Sequence, residues 1–487
     1  MIATPPRDVV DRLRLAVGAT HCITDPTELR TFEADGLTGY RVRPGIVVLP
    51  STTEEVADCV RIAREADVPV VPRGSGTGLS GGALPTEGCL VVGLSRMNAI
   101  LDVDLPNLRM RVQPGVINLA MSAHLGPLGY YYAPDPSSQS VCSIGGNVAE
   151  NSGGAHCLKY GFTTNHVVAV KIVLEDGSVV DVGAVHGDPL GYDLTKAIVG
   201  SEGMLGIVTE VVVRILRKPQ STRTLFATFP TTDAAGDAVS KIIAAGIVPA
   251  AVEMCDALAI EAIVAATGVD WPRDVGAVLL IDVDGVDAEA AHTAAEAERI
   301  ASDSGAIEIR TPRDSSEREL MWKGRKSAFA AVGRISPDYY VGDGVVPRRS
   351  IGPVLREIAD LAAREGLRVA NVFHAGDGNL HPLVLYDARK PGESERAERV
   401  SGEILRICIR YGGSITGEHG VGHDKQFYMG ELFGEDDLET MNRVRCAFDP
   451  QRIFNPAKVF PTPRLCGDRP GPYVPHQTEK RDLAGRG

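Results

Sequence analysis

Residues 73–82 read Arg-Gly-Ser-Gly-Thr-Gly-Leu-Ser-Gly-Gly, with five glycines in the nine positions from 74 to 82. A stretch this poor in Cβ atoms lets successive backbone N–H groups turn toward one anion. Within it, Gly76-Thr77-Gly78-Leu79-Ser80-Gly81 satisfies the GxGxxG spacing. That spacing marks a dinucleotide turn only where a helix begins at the loop, so that its N-terminus faces the pyrophosphate. Here the β-like run Val68–Val71 precedes the loop, and Ala83-Leu84-Pro85-Thr86-Glu87-Gly88 leads into another strand, Cys89–Gly93. No helix fits in between. The loop is an anion cradle between two strands, and a doubly wound dinucleotide fold is excluded.

A chain of 487 residues exceeds what one hydrophobic core sustains, so two or three packed units are expected. To about Pro219, short strands alternate with few helices. Beyond it the pattern becomes strand then helix: Leu225–Phe229 before Asp233–Ala245, the apolar run Val248–Met254 before Ala257–Thr267, and Ala277–Asp284 before Ala288–Asp303. Further helices are expected at Ser315–Val332 and Pro353–Glu365. This predicts an α+β unit with helices on an antiparallel sheet. From Gly412 to Pro461 glycine-rich loops return around short helices, and residues 462–487 read as a flexible tail.

The net charge of −13 disfavours nucleic acid and anionic membrane surfaces. No apolar run reaches the length of a membrane span. Met1–Val17 reads as an amphipathic helix without the pattern of a secretory signal, so a cytoplasmic location is expected. The nine cysteines are scattered with no C-x-x-C pair, which argues against an iron–sulfur cluster, a zinc ribbon or a disulfide scaffold.

A glycine-dense loop is often only a turn. Two further stretches of the same kind argue for a large ligand: Pro134-Asp135-Pro136 running into Ser143–Gly154, and Gly200–Thr209. A different chemistry appears at Asn371–Leu385. Asp377-Gly378 between two β-like runs predicts a two-residue hairpin turn. That turn pairs His374 with His381, with Cβ atoms about 5 Å apart on one sheet face, close enough to share a metal ion. Gly417-Glu418-His419-Gly420 adds a carboxylate and a third imidazole. Two histidines and one carboxylate leave coordination positions open for substrate, and suit Zn²⁺ or Mn²⁺.

These blocks together resemble the flavoprotein superfamily of vanillyl-alcohol oxidase and para-cresol methylhydroxylase. Within it the similarity is to the branch of D-lactate dehydrogenases, D-2-hydroxyglutarate dehydrogenases and glycolate oxidase D subunits, over roughly Arg43 to Pro461. The resemblance implies an α+β fold. It divides into a two-part FAD-binding domain of mixed and antiparallel sheets (1–219), an α+β cap domain with a helix-covered antiparallel sheet (220–411), and a segment returning to the flavin (412–461). It assigns FAD contacts to Arg73, Gly74, Ser75, Gly76, Thr77, Gly78, Leu79, Ser80 and Gly81. Further contacts fall on Pro136, Ser143, Gly145, Gly146, Asn147, Asn151, Gly153 and Gly154, and on Glu202, Gly203, Gly206, Ile207, Val208 and Asn455. With no histidine between Arg73 and Ile100, the flavin is expected to be non-covalent.

The resemblance also implies metal ligands at His374, His381 and Glu418, a catalytic base at His419, and a substrate-carboxylate partner at Arg325. D-2-hydroxyglutarate members carry a lysine shortly before an aspartate in the strand after that arginine. The corresponding Asp338-Tyr339-Tyr340-Val341-Gly342-Asp343 has none, which favours glycolate or D-lactate. The expected partners are a small 2-hydroxy acid and an electron acceptor, in the form of flavin and iron–sulfur subunits or another oxidant. A homo-oligomer, peripheral to the inner membrane face through partners, is also expected. A D-2-hydroxyglutarate-type dehydrogenase, a flavin-free metal-dependent hydrolase and a flavin-binding structural subunit are the competing readings. Flavin absorbance and its bleaching by a 2-hydroxy acid discriminate among them.

Overall fold

The computed structural model describes residues 6–187 and 191–461; the expected tail at 462–487 lies outside them. Ile46–Val48, Leu90–Gly93 and Val70–Arg73 form a parallel set, with Cys22–Ile23 antiparallel at its edge. These strands are apolar at nearly every position because both faces are buried. Arg7–Val17 and Thr53–Glu65 cover one face through Leu13, Val17, Val56 and Val60. The Thr52 side chain accepts from the Glu55 N–H and caps the second of these helices. Between Arg73 and Leu90 the chain forms only turns and bends, so the expected loop between two strands is what the structure holds.

The second sheet is antiparallel, in the order Ile100–Asp104, Arg109–Val112, Ile207–Arg214, Val167–Val173, Val179–Gly183. One expectation is corrected beside it. The glycine pair 145–146 lies not in a loop but in a short helix, Ile144–Glu150. A Cβ on Gly145 would stand 2.6 Å from the Pro114 side chain and 3.0 Å from its carbonyl oxygen. The glycine therefore serves close approach of that helix to the 114–116 turn.

The third sheet is the expected helix-covered one. Its pairings are all antiparallel, and its centre runs Ser221–Phe229, Ala277–Gly285, Ala251–Asp256, Arg368–His374. Alternate residues face opposite layers. Leu225, Ala227, Leu279 and Ile281 pack under the helices Thr232–Ala244, Asp287–Asp303, Ile351–Glu365 and Glu393–Arg410. Phe226, Val278 and Leu280 pack under Ala257–Thr267 and Ser315–Ala331.

Near its end the chain returns to the first sheet: the Val70 N–H donates to the Ile453 carbonyl at 2.7 Å, and the Asn455 N–H to the Val70 carbonyl at 2.7 Å. Among the described residues seven buried cysteines are free. No helix among the described residues is long and apolar enough to cross a membrane.

Candidate functional site

A cavity of about 750 Å3 lies between the two halves of the chain, a size suited to a cofactor together with a small substrate. One wall is the loop Arg73–Leu79 together with Ser143, Gly145, Gly146 and Asn147. Pro136, Glu202, Gly203, Gly206, Ile207 and Val208 complete that side. The opposite wall carries Lys326, Phe329, Tyr339, Val341, Glu418 and His419. The glycines have steric reasons here: a Cβ on Gly74 would collide with the Ser143 hydroxyl, and one on Gly76 with the Arg73 guanidinium. The Ser143 hydroxyl oxygen and the Ser80 hydroxyl oxygen are buried without a hydrogen-bond partner among the described residues. A backbone-rich wall that carries the Ser143 hydroxyl fits a phosphate-bearing flat cofactor.

Other expected contact residues stand behind that lining. Asn455 is buried and donates from Nδ2 to the carbonyls of Gly82 at 2.8 Å and Glu202 at 2.6 Å, tying two walls together. Asn151 closes the Ile144–Glu150 helix with φ +52° and accepts from the Thr164 N–H. Gly81 packs against His423, Gly153 against Glu418, and Gly154 against Asp135. Ser80 is fully buried, and its backbone carbonyl accepts from the Asp424 N–H. Lining residues that the sequence did not mark are Gly36, Leu37 and Tyr40.

The histidine hairpin corrects a register. His374 pairs with Asn379, and Asn371 with Pro382, so a four-residue loop replaces the expected two-residue turn. The reason is local: Gly378 has φ +75° whereas Asp377 is not left-handed, and a tight type I′ turn requires both. The slip is two residues. Side chains alternate with period two, so His374 and His381 stay on the same face. Their rings lie 5.2 Å apart at 85°. Glu418 Oε1 is 3.1 Å from His374 Nε2 and 3.3 Å from His381 Nε2. The three ligand atoms lie within 4.8 Å of one another in a buried setting, and Glu418 Oε2 is buried without a hydrogen-bond partner among the described residues. This donor set fits a divalent ion.

Asp343, His381 and His419 form a second trio of the same spread, but its carboxylate is already engaged. Asp343 accepts from Thr416 Oγ1 at 2.6 Å, Lys425 Nζ at 2.9 Å, Asn379 Nδ2 at 3.0 Å and the N–H groups of Gly417 and His419 at 3.1 Å. Such a cradle satisfies the oxygens and aims the Glu418–His419 segment into the cavity. A Cβ on Gly417 would overlap the Asn379 amide, which explains the glycine before Glu418. The sequence marked Asp343 only as the aspartate that ends the stretch Asp338–Asp343, and assigned it no role.

Burial alone would raise the Glu418 carboxyl, but His374, His381 and His419 outweigh it and bring its pKa down to about 2. Burial pushes His419 down to about 4 against the pull of Asp343. Its ring stacks on His381 at 4.9 Å, with Nδ1 unpartnered. A neutral imidazole with a bare nitrogen is the form a general base needs.

Arg325 does not line the cavity. It is 3% exposed, and its Nη2 lies 2.6 Å from Glu253 Oε2; neither Nε nor Nη2 has a hydrogen bond among the described residues. Glu253 Oε1 in turn meets His374 Nδ1 at 2.7 Å. The sequence mark for Glu253 was a lone acid inside the apolar run Val248–Met254.

Residues 44–183 match the family description "FAD binding domain", and residues 218–459 match "FAD linked oxidases, C-terminal domain". The "Glycolate oxidase subunit GlcD" of Escherichia coli (strain K12) is 47% identical over 468 residues, which cover 96% of this chain and 94% of that protein. A "D-lactate dehydrogenase" of Anaerostipes hadrus is 32% identical over 428 residues, covering 86% and 90%. Among solved structures, p-cresol methylhydroxylase with substrate bound superimposes with a TM-score of 0.76, at 17% identity, over 93% of this chain and 96% of that one. That last likeness concerns the fold.

Proposed function

The chain belongs to the FAD-linked oxidases and is an FAD-dependent oxidoreductase, and from that premise we propose that it oxidises a small 2-hydroxy acid, glycolate or D-lactate, to the 2-oxo acid. The observation that supports this reading is the cluster of His374, His381 and Glu418, which reaches through Glu418 and His419 into a cavity whose other wall is the glycine loop. Bound flavin supplies the hydride acceptor, and a divalent ion held by His374, His381 and Glu418 supplies a Lewis acid.

The residues divide the remaining work. His419 accepts the hydroxyl proton at a ring nitrogen, as the substrate α-carbon gives up its hydride. The resemblance assigns the substrate carboxylate to Arg325, which stands behind the cavity lining with Nε free of hydrogen bonds among the described residues. Asp343 and Lys425 hold the Glu418–His419 loop in place. Phe329, Tyr339 and Val341 close the wall and exclude water. On this reading, 1–219 cradles the cofactor, 220–411 brings the ligand hairpin, and 412–461 brings the base. Electrons leave through partner subunits, as the name of the 47% identical relative suggests for that protein.

An anaerobic screen of flavin absorbance tests the substrate class. Glycolate or D-lactate should bleach the band and D-2-hydroxyglutarate should leave it. Bleaching by D-2-hydroxyglutarate alone contradicts the assignment.

A further inference from the structure

Glu253 lies on the Ala251–Asp256 strand directly opposite His374 in the sheet register, so the fold itself sets the two side chains together. It is 1% exposed. A carboxylate in the middle of a strand buried on both faces is costly unless both oxygens are answered. Here Oε1 accepts from His374 Nδ1 at 2.7 Å, and Oε2 lies at ion-pair distance, 2.6 Å, from Arg325 Nη2. With Nδ1 on Glu253, the other ring nitrogen of His374, Nε2, faces the ligand cluster, 3.1 Å from Glu418 Oε1.

We infer that Glu253 is a positioning residue of the metal centre: it holds His374 in the Nδ1–H tautomer and at one ring angle, with Arg325 as its buried counter-charge. This rests on the metal reading proposed above. It also gives Arg325 a second task. The guanidinium anchors the residue that orients a metal ligand, so the strand Ala251–Asp256 and the helix Ser315–Ala331 meet beside the site through one ion pair.

A carboxylate behind a ligating histidine is worth about 10–100-fold in metal affinity. The test uses the full-length FAD-loaded protein, stripped with a chelator and titrated with Zn²⁺ against a competing metal-binding dye. Glu253→Gln should weaken Zn²⁺ binding by about 10–100-fold with FAD content unchanged. Should the stranded Arg325 charge prevent folding, the double variant Glu253→Met/Arg325→Met removes both charges at similar volume and should show the same weakening. Wild-type Zn²⁺ affinity in a folded variant overturns the inference and leaves the metal reading standing. Wild-type protein that binds no Zn²⁺ overturns the metal reading, and this inference with it.

Discussion

At His419 the account makes its sharpest demand on a single side chain. A base is not a ligand, so His419→Ala should retain metal and FAD while substrate bleaching of the flavin slows by about 10²–10⁴-fold. Elemental analysis beside stopped-flow absorbance reads both; loss of metal in that variant would make His419 a ligand instead. Arg325→Ala, assayed at saturating metal, should raise KM and lower kcat/KM by roughly 2–5 kcal/mol of transition-state binding, with flavin content intact. Flavin loss would place the arginine in the cofactor site. Residue types carried this much of the site into the sequence: imidazoles and a carboxylate flanked by glycine are chemically conspicuous. Asp343 and Glu253 were not, because their meaning lies in partners 36 to 121 residues away in sequence.

Among the elements, the hairpin shows what a local pattern can and cannot specify. Asp377-Gly378 located the turn correctly, and the period of two preserved the shared face of His374 and His381. The number of loop residues depended on dihedral angles that the dipeptide does not fix. The helix Ile144–Glu150 was illegible for a similar reason. Its two glycines lower helix propensity, and contact with Pro114 overrides that preference.

A second element-scale test concerns His156, which closes the turn before the Cys157–Tyr160 helix. Burial opposes its charge, but the Asp135 carboxylate at 2.8 Å outweighs burial and raises its pKa to about 9. The folded value lies above the unfolded one of about 6.5, so this stabilisation is complete below about pH 6.5 and is lost as pH rises through about 9. The melting temperature of His156→Gln should fall furthest below wild type at pH 6, and the gap should close by pH 10. A gap that does not change with pH contradicts the ion pair.

On the scale of the whole molecule, most of the architecture was legible because strand and helix periods were strong and glycine blocks marked the walls of one cavity. The layering on both faces of the third sheet was less so, since alternate apolar residues there are buried whichever way they point. Cofactor attachment is a whole-molecule property too. With no histidine between Arg73 and Ile100, acid precipitation should release the yellow colour to the supernatant; colour held in the pellet would mean a covalent link elsewhere.

The central claim is that His374, His381 and Glu418 hold a metal that the oxidation of a 2-hydroxy acid requires and flavin binding does not. The direct measurement is the anaerobic rate of flavin bleaching by glycolate and by D-lactate, taken before chelation, after chelation, and after return of Zn²⁺ or Mn²⁺. The account predicts bleaching that collapses on chelation with the full flavin complement retained, and recovers with metal. Undiminished bleaching in a chelated protein shown to be free of divalent metal would contradict it.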